Sequence, residues 1–159
     1  MLPSPPPPPV RWLDDDEQAT WRAFLASVHL LMDRLDRELQ SGAGIPHAYY
    51  EILVRLSEAP GRAMRMSDLA DRCHSSRSRL SHAVARLEEQ GWVRRETVAS
   101  DRRGAVAVLT DAGLAALEAA APVHVAGVRR HVFDQLTPDQ TAALGEISRA
   151  VYEHLTASA

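Results

Sequence analysis

Apolar residues recur at helical spacing along almost the whole chain, and that period breaks in one place, between Trp92 and Leu109. The pattern predicts a mainly α protein with one small β-hairpin. In the first helix Trp21, Leu25, Val28, Met32, Leu35 and Leu39 alternate steps of four and three, with Phe24 and Leu31 widening the stripe. Such a repeat, roughly 3.5 residues, belongs to a helix packed along another helix. Asp14 can cap this helix with Glu17 completing a capping box, and Ser41-Gly42-Ala43-Gly44 stops it. A second helix opens at Pro46, carries Tyr49, Ile52, Leu53 and Leu56, and ends before Pro60-Gly61. A short third helix starts at Ser67, its face made of Met66, Leu69, Ala70 and Cys73, so the thiol points inward. A fourth follows the His74-Ser75 break and runs to Gly91, burying Leu80, Ala83, Val84 and Leu87.

The segments Trp92 to Val98 and Ala105 to Leu109 are rich in β-branched residues and flank the polar loop 99–104. Thr110 then caps a long fifth helix with Leu114, Leu117, Ala121, Val125, Val128 and Val132 on its apolar side, and Pro122 predicts a kink or break. A second capping box, Thr137 to Gln140, opens a last helix bearing Leu144, Ile147, Val151 and Leu155. Six of the ten prolines fall in residues 1–10, which favours an extended, disordered tail over 1–12.

Composition narrows the chemistry. All 18 basic residues are arginine, so a lysine phosphate loop or a Schiff base is excluded. No GxGxxG, HExxH or GxSxG occurs, and the single cysteine rules out CxxC metal and redox patterns. These absences argue against an enzyme and imply no cofactor. No apolar run reaches the roughly 20 residues of a membrane span, and no secretory signal opens the chain, so a cytoplasmic protein is expected.

The formal charge of −3 hides a local bias. Positions 62–103 hold ten arginines against six acids, +4, while the remainder is −7. A basic middle in an acidic chain suits a module that meets a polyanion with one surface. On the fourth helix Ser78, His82 and Ala85 lie opposite the apolar face, with Ser81 on one flank and Arg79 and Arg86 on the other. Small residues let a helix enter a major groove, hydroxyls bond phosphate or base edges, and arginine forks onto guanine. With Arg77 ahead of them, these residues make 76–90 a candidate recognition helix. The hairpin, about 93–109, is a candidate wing whose tip carries Arg102 and Arg103, with Asp101 placed to orient a guanidinium by pairing with Arg103 or Arg86. A helical interaction module meeting an acidic protein is the other reading of this basic face.

The run Leu69-Ala70, Ser78 to Leu87, Glu88-Glu89-Gln90-Gly91-Trp92-Val93, Asp101-Arg102-Arg103-Gly104 and Leu109-Thr110-Asp111-Ala112-Gly113 resembles the signature of the MarR family of transcription regulators. The resemblance spans about residues 14–157 and is most specific in the Asp-x-Arg wing followed by Leu-Thr-x-x-Gly. It implies a winged helix-turn-helix homodimer, bound to pseudo-palindromic double-stranded DNA and often released by a small aromatic or amphipathic effector. In the family's pattern Arg103 is the minor-groove residue and Asp101 its orienter, while His82 stands where many members carry arginine. Residues 45–110 would form the DNA-binding region, with 13–40 and 111–157 as dimerisation helices in one domain overall. The terminal helices keep apolar stripes that the central module covers only in part, which independently favours a dimer. Trp21, His47, Tyr49 and Tyr50 fall where the family has an effector pocket. His124 and His131, seven apart, are read as structural rather than metal-binding.

Overall fold

The protein, seen in a computed structural model, is described for residues 10–98 and 101–157, with the side chains of 98 and 101–104 outside that description. The tail expected over 1–12 therefore lies mostly outside the described residues, as do the side chains of Asp101, Arg102 and Arg103. The element order is α1 (Asp15–Ala43), α2 (His47–Ser57), β1 (Ala63–Arg65), α3 (Met66–Arg72), α4 (Arg77–Glu89), β2 (Val93–Val98), β3 (Asp101–Leu109), α5 (Asp111–His131) and α6 (Pro138–Ala157). No described helix is long and apolar enough to cross a membrane. The chain divides into two units, residues 1–33 and 34–159.

In the first unit the predicted capping box forms: Glu17 N donates to Asp14 Oδ1 at 2.8 Å and Asp14 N to Glu17 Oε2 at 3.1 Å. On the stripe beyond it Trp21, Phe24, Val28 and Met32 are exposed, while Leu25 and Leu31 are half-buried.

In the second unit the core gathers Leu39 of α1, Leu53 and Leu56 of α2, Leu69 of α3, and Leu80, Val84 and Leu87 of α4, all essentially inaccessible. Each such leucine contributes about 1.5–3 kcal/mol of burial. The buried face expected on α4 is thus present, although Ala83 is only half-buried. The small sheet has order β1-β3-β2, all antiparallel. The strand β1 was not expected, because three residues are too few to show alternation; Arg65 pairs with Val106 and Ala63 with Val108. The polar hairpin loop is shorter than the expected 99–104, since β3 already begins at Asp101 and the register shifts between Thr97 and Val98. Backbone pairing needs only N–H and C=O groups, so polar side chains do not keep these residues out of the ladder.

The expected caps of the later helices form. Gly113 N donates to Thr110 Oγ1 at 3.0 Å, and Gln140 N to Thr137 Oγ1 at 3.2 Å with Thr137 N returning to Gln140 Oε1 at 2.9 Å. α5 continues through Pro122 without a break. Glu118, whose carbonyl loses its partner there, is exposed, as is Pro122, so water can take the place of the missing amide. The apolar face of α5 also differs from expectation. Gly113, Leu117, Ala120 and Gly127 are buried while Val125 is 54% exposed, because small residues let α5 approach its neighbours closely. A Cβ at Gly127, for example, would stand 2.9 Å from Leu35 Cδ2. α6 buries nothing: Leu144, Ile147, Val151 and Leu155 are all exposed.

Candidate nucleic-acid interface

α3 and α4 are joined by a tight turn. Ser75 N donates to Ala70 O at 2.9 Å, and His74 takes a left-handed φ of 46°. Ser76 caps α4 by accepting from Arg79 N at 3.3 Å, a link that fixes the first turn of the helix. Beyond it Arg77, Ser78, Arg79 and His82 are exposed, and Arg77 and Arg79 make no ion pair among the described residues. Ser81 is half-buried, with its carbonyl accepting from Arg95 Nη2 at 3.3 Å.

Four other arginines of the basic segment are committed to ion pairs. Arg62 pairs with Asp111 at 2.9 Å, Arg86 with Glu89 at 2.8 Å, Arg94 with Glu96 at 2.6 Å and Arg95 with Glu88 at 2.7 Å. Glu88 also accepts from Arg95 N at 2.9 Å, so β2 is clamped to α4 by backbone and side chain together. Among the described arginines of this segment, Arg77 and Arg79 at the N-terminal end of α4 and Arg72 at the end of α3 are exposed without an ion pair. The Arg86–Glu89 pair has a helical i,i+3 spacing that was legible in the sequence. The Glu88–Arg95 clamp joins two elements and left no such signal. Arg86 meets Glu89, whereas the pairing expected of Asp101 lies outside the described residues.

The wing is held to α5 by the Leu-Thr-x-x-Gly run. Thr110 Oγ1 donates to Gly91 O at 2.7 Å, and Thr110 N to Trp92 O at 3.0 Å. Gly91, just past α4, has the left-handed φ of 72° expected at that position.

The aromatic residues separate. His47 and Tyr50 of α2 meet His124 of α5, with ring centroids 5.3 Å apart for His47–His124 and 4.6 Å for Tyr50–His124. They line a recess of about 350 Å³ together with Glu51, Val54 and Arg55. Arg55 Nε and His124 Nδ1 are buried there with no hydrogen-bond partner among the described residues. Burial, then the neighbouring His47, pushes the His124 imidazole below its ordinary range, and burial raises the Tyr50 phenol. Tyr49 instead faces α4, in a groove shared with Arg79, His82 and Arg86. Trp21, in the first unit, is 50% exposed beside Phe24. His124 and Arg55 were missed as recess residues, because their meeting depends on how α2 packs against α5.

His131 contacts Glu38 at 2.8 Å, and that hydrogen bond holds the Glu38 carboxyl below its usual range. Among the described residues no three His, Cys, Asp or Glu side chains gather as a metal site. Cys73 is half-buried, its thiol pushed up to about 11 by burial and then by Glu51, which leaves little thiolate at neutral pH.

Residues 43–104 match the MarR family model. The chain is 55% identical to Sco3205 of Streptomyces coelicolor, a MarR family regulator whose structure was solved in complex with DNA, with a TM-score of 0.87 and 92% of each chain covered. It is 47% identical to AbsC, another MarR family regulator of the same organism, with a TM-score of 0.85 over 93% of this chain and 99% of AbsC. The HTH-type transcriptional regulator PecS of Dickeya dadantii (strain 3937) is 29% identical over 133 residues, covering 82% of this chain and 79% of PecS. The tight turn before α4, the cationic strip on that helix and the three-stranded wing thus sit in a chain that belongs to the MarR family, as a DNA-binding transcriptional regulator and not an enzyme.

Proposed function

We propose that the protein is a cytoplasmic homodimeric repressor that reads a pseudo-palindromic operator, with the N-terminal half of α4 in the major groove and the wing in the minor groove. The observation that carries this reading is the uncommitted pair Arg77 and Arg79 beside exposed Ser78 and His82, on a strip of small residues. These side chains, with Ser81 and Arg86 on the flanks, would contact base edges and phosphates. Arg102 and Arg103 would enter the minor groove, Asp101 orienting the guanidinium. The DNA complex of Sco3205 supports a duplex as the partner.

Dimerisation would run through residues 13–40 and 111–157, leaving 45–110 as the DNA-binding region. The exposed apolar residues Leu144, Ile147, Val151 and Leu155 support a second copy as their cover, because monomers seldom leave such stripes to water. A small aromatic or amphipathic effector would release the DNA. The recess of His47, Tyr50 and His124 supports that part of the reading, whereas Tyr49 lines the groove beside α4 and Trp21 belongs to the first unit.

Selection of bound duplexes from a random pool tests the proposal. The expected product is an inverted repeat with half-sites one helical turn apart, roughly 34 Å, bound with an affinity that falls steeply with salt. Enrichment of a lone half-site would overturn the dimeric reading, and no enrichment at all would overturn sequence-specific recognition.

A further inference from the structure

The recognition strip does not account for Tyr49 and Glu89, which share a groove with three of its residues. Between the first turn of α2 and α4 lies an open groove of about 620 Å³, lined by Tyr49, Arg79, His82, Arg86 and Glu89. A smaller recess of about 250 Å³ adjoins Tyr49, Arg86 and Glu89 from the side of Gly44 and Trp92. These three side chains form the ridge between the two hollows. Arg86 Nη1 lies 2.8 Å from Glu89 Oε2, and the two side chains are 66% and 59% exposed. The Tyr49 hydroxyl has no hydrogen-bond partner among the described residues.

We infer that Tyr49 and Arg86 form a subsite for a backbone phosphate of the DNA, and that Glu89 holds Arg86 away from it in the free protein. The inference rests on α4 facing the major groove. A helix with its side chains is about 10–12 Å across and fills a groove about 12 Å wide. A residue from a neighbouring helix on its flank then meets the groove wall, which is sugar and phosphate, rather than base edges. Tyr49 offers a neutral donor there and Arg86 a cation, the pairing that backbone contacts use. Glu89 would stand close to the same phosphate and repel it. Its exposed bond to Arg86 is weak enough to be exchanged for a charge-assisted contact with DNA. Neither Tyr49 nor Glu89 belongs to the strip that reads bases, so both should act on affinity for any sequence.

The experiment uses the full chain, the duplex recovered by selection, and a random-sequence duplex of equal length, each titrated across salt concentrations. Tyr49→Phe should weaken both duplexes about 2–10-fold without changing the salt slope, because a hydroxyl displaces no counterion. Glu89→Gln should tighten both and steepen the slope by up to about one ion, and adding Arg86→Ala should abolish that gain. Arg77→Ala serves as the reference. If Arg77→Ala weakens binding while Tyr49→Phe and Glu89→Gln leave it unchanged, the subsite is overturned and the recognition strip stands. Should none of the three change affinity, the DNA-facing surface lies elsewhere and both readings fall. A weaker Glu89→Gln variant that also loses preference at one cytosine would make Glu89 a base reader, which likewise overturns the inference. Should Tyr49→Phe prove unstable, the exposed Glu89→Gln and Arg86→Ala pair decides alone.

Discussion

Gly113 shows how a single residue can set the position of a wing. A Cβ built there would lie 2.1 Å from the carbonyl oxygen of Trp92 and 2.7 Å from Leu109 Cδ1. The first neighbour is backbone and is already bonded by Thr110 N at 3.0 Å, so it has no free direction in which to retreat. Gly113→Ala should therefore lose more through overlap than it gains in helix propensity, with a net destabilisation of about 1–3 kcal/mol. Urea unfolding measures it: a midpoint unchanged from the parent would mean that the Gly91–Trp92 turn yields freely. The glycine of the Leu-Thr-x-x-Gly run is thus a packing residue, and its place in a motif has a steric cause.

Where α2 meets α5, the contact is titratable. The His124 ring is wedged against Tyr50 and His47, with Glu51 and Arg55 lining the same recess. Burial first and His47 second hold its pKa below the ordinary 6.5. A base with a depressed folded pKa binds its proton more readily in the unfolded chain, so the stability it supports is present above pH 6.5 and is lost as pH falls through the folded value. Chemical unfolding between pH 7.5 and 5 should show this loss, and His124→Phe, which keeps an aromatic ring against Tyr50, should flatten the profile. An identical pH profile in the variant would assign the loss to other groups. The charge pattern between elements has a related consequence. Four arginines of the basic segment are already ion-paired in the free protein, so a bare count of arginines overstates the charge that meets DNA without first breaking a pair.

At the scale of the molecule, the exposed residues on α6 decide what the chain does next. Ile147, Val151 and Leu155 are each more than half exposed, on a helix with no buried residue of its own. Burial of one such side chain against a partner is worth about 1.5–3 kcal/mol, and a charge placed among several of them would remove much of that. Leu155→Arg should shift the sedimentation profile toward monomer and weaken operator binding in parallel, since half-sites on one duplex need both subunits. An unaltered profile would move the interface off this helix.

Much of this was written in the sequence because its causes are local. The capping boxes at Asp14–Glu17 and Thr137–Gln140, the Thr110 cap, the left-handed Gly91 and the buried face Leu80, Val84 and Leu87 each depend on residues within a few positions of one another. Only the tertiary structure decided the rest. It paired three-residue β1 with β3, turned Tyr49 toward α4 and Tyr50 toward His124, clamped Arg95 to Glu88, and left α6 uncovered. Those outcomes depend on how separate elements pack, and periodicity records which face of a helix is apolar without recording what that face will meet.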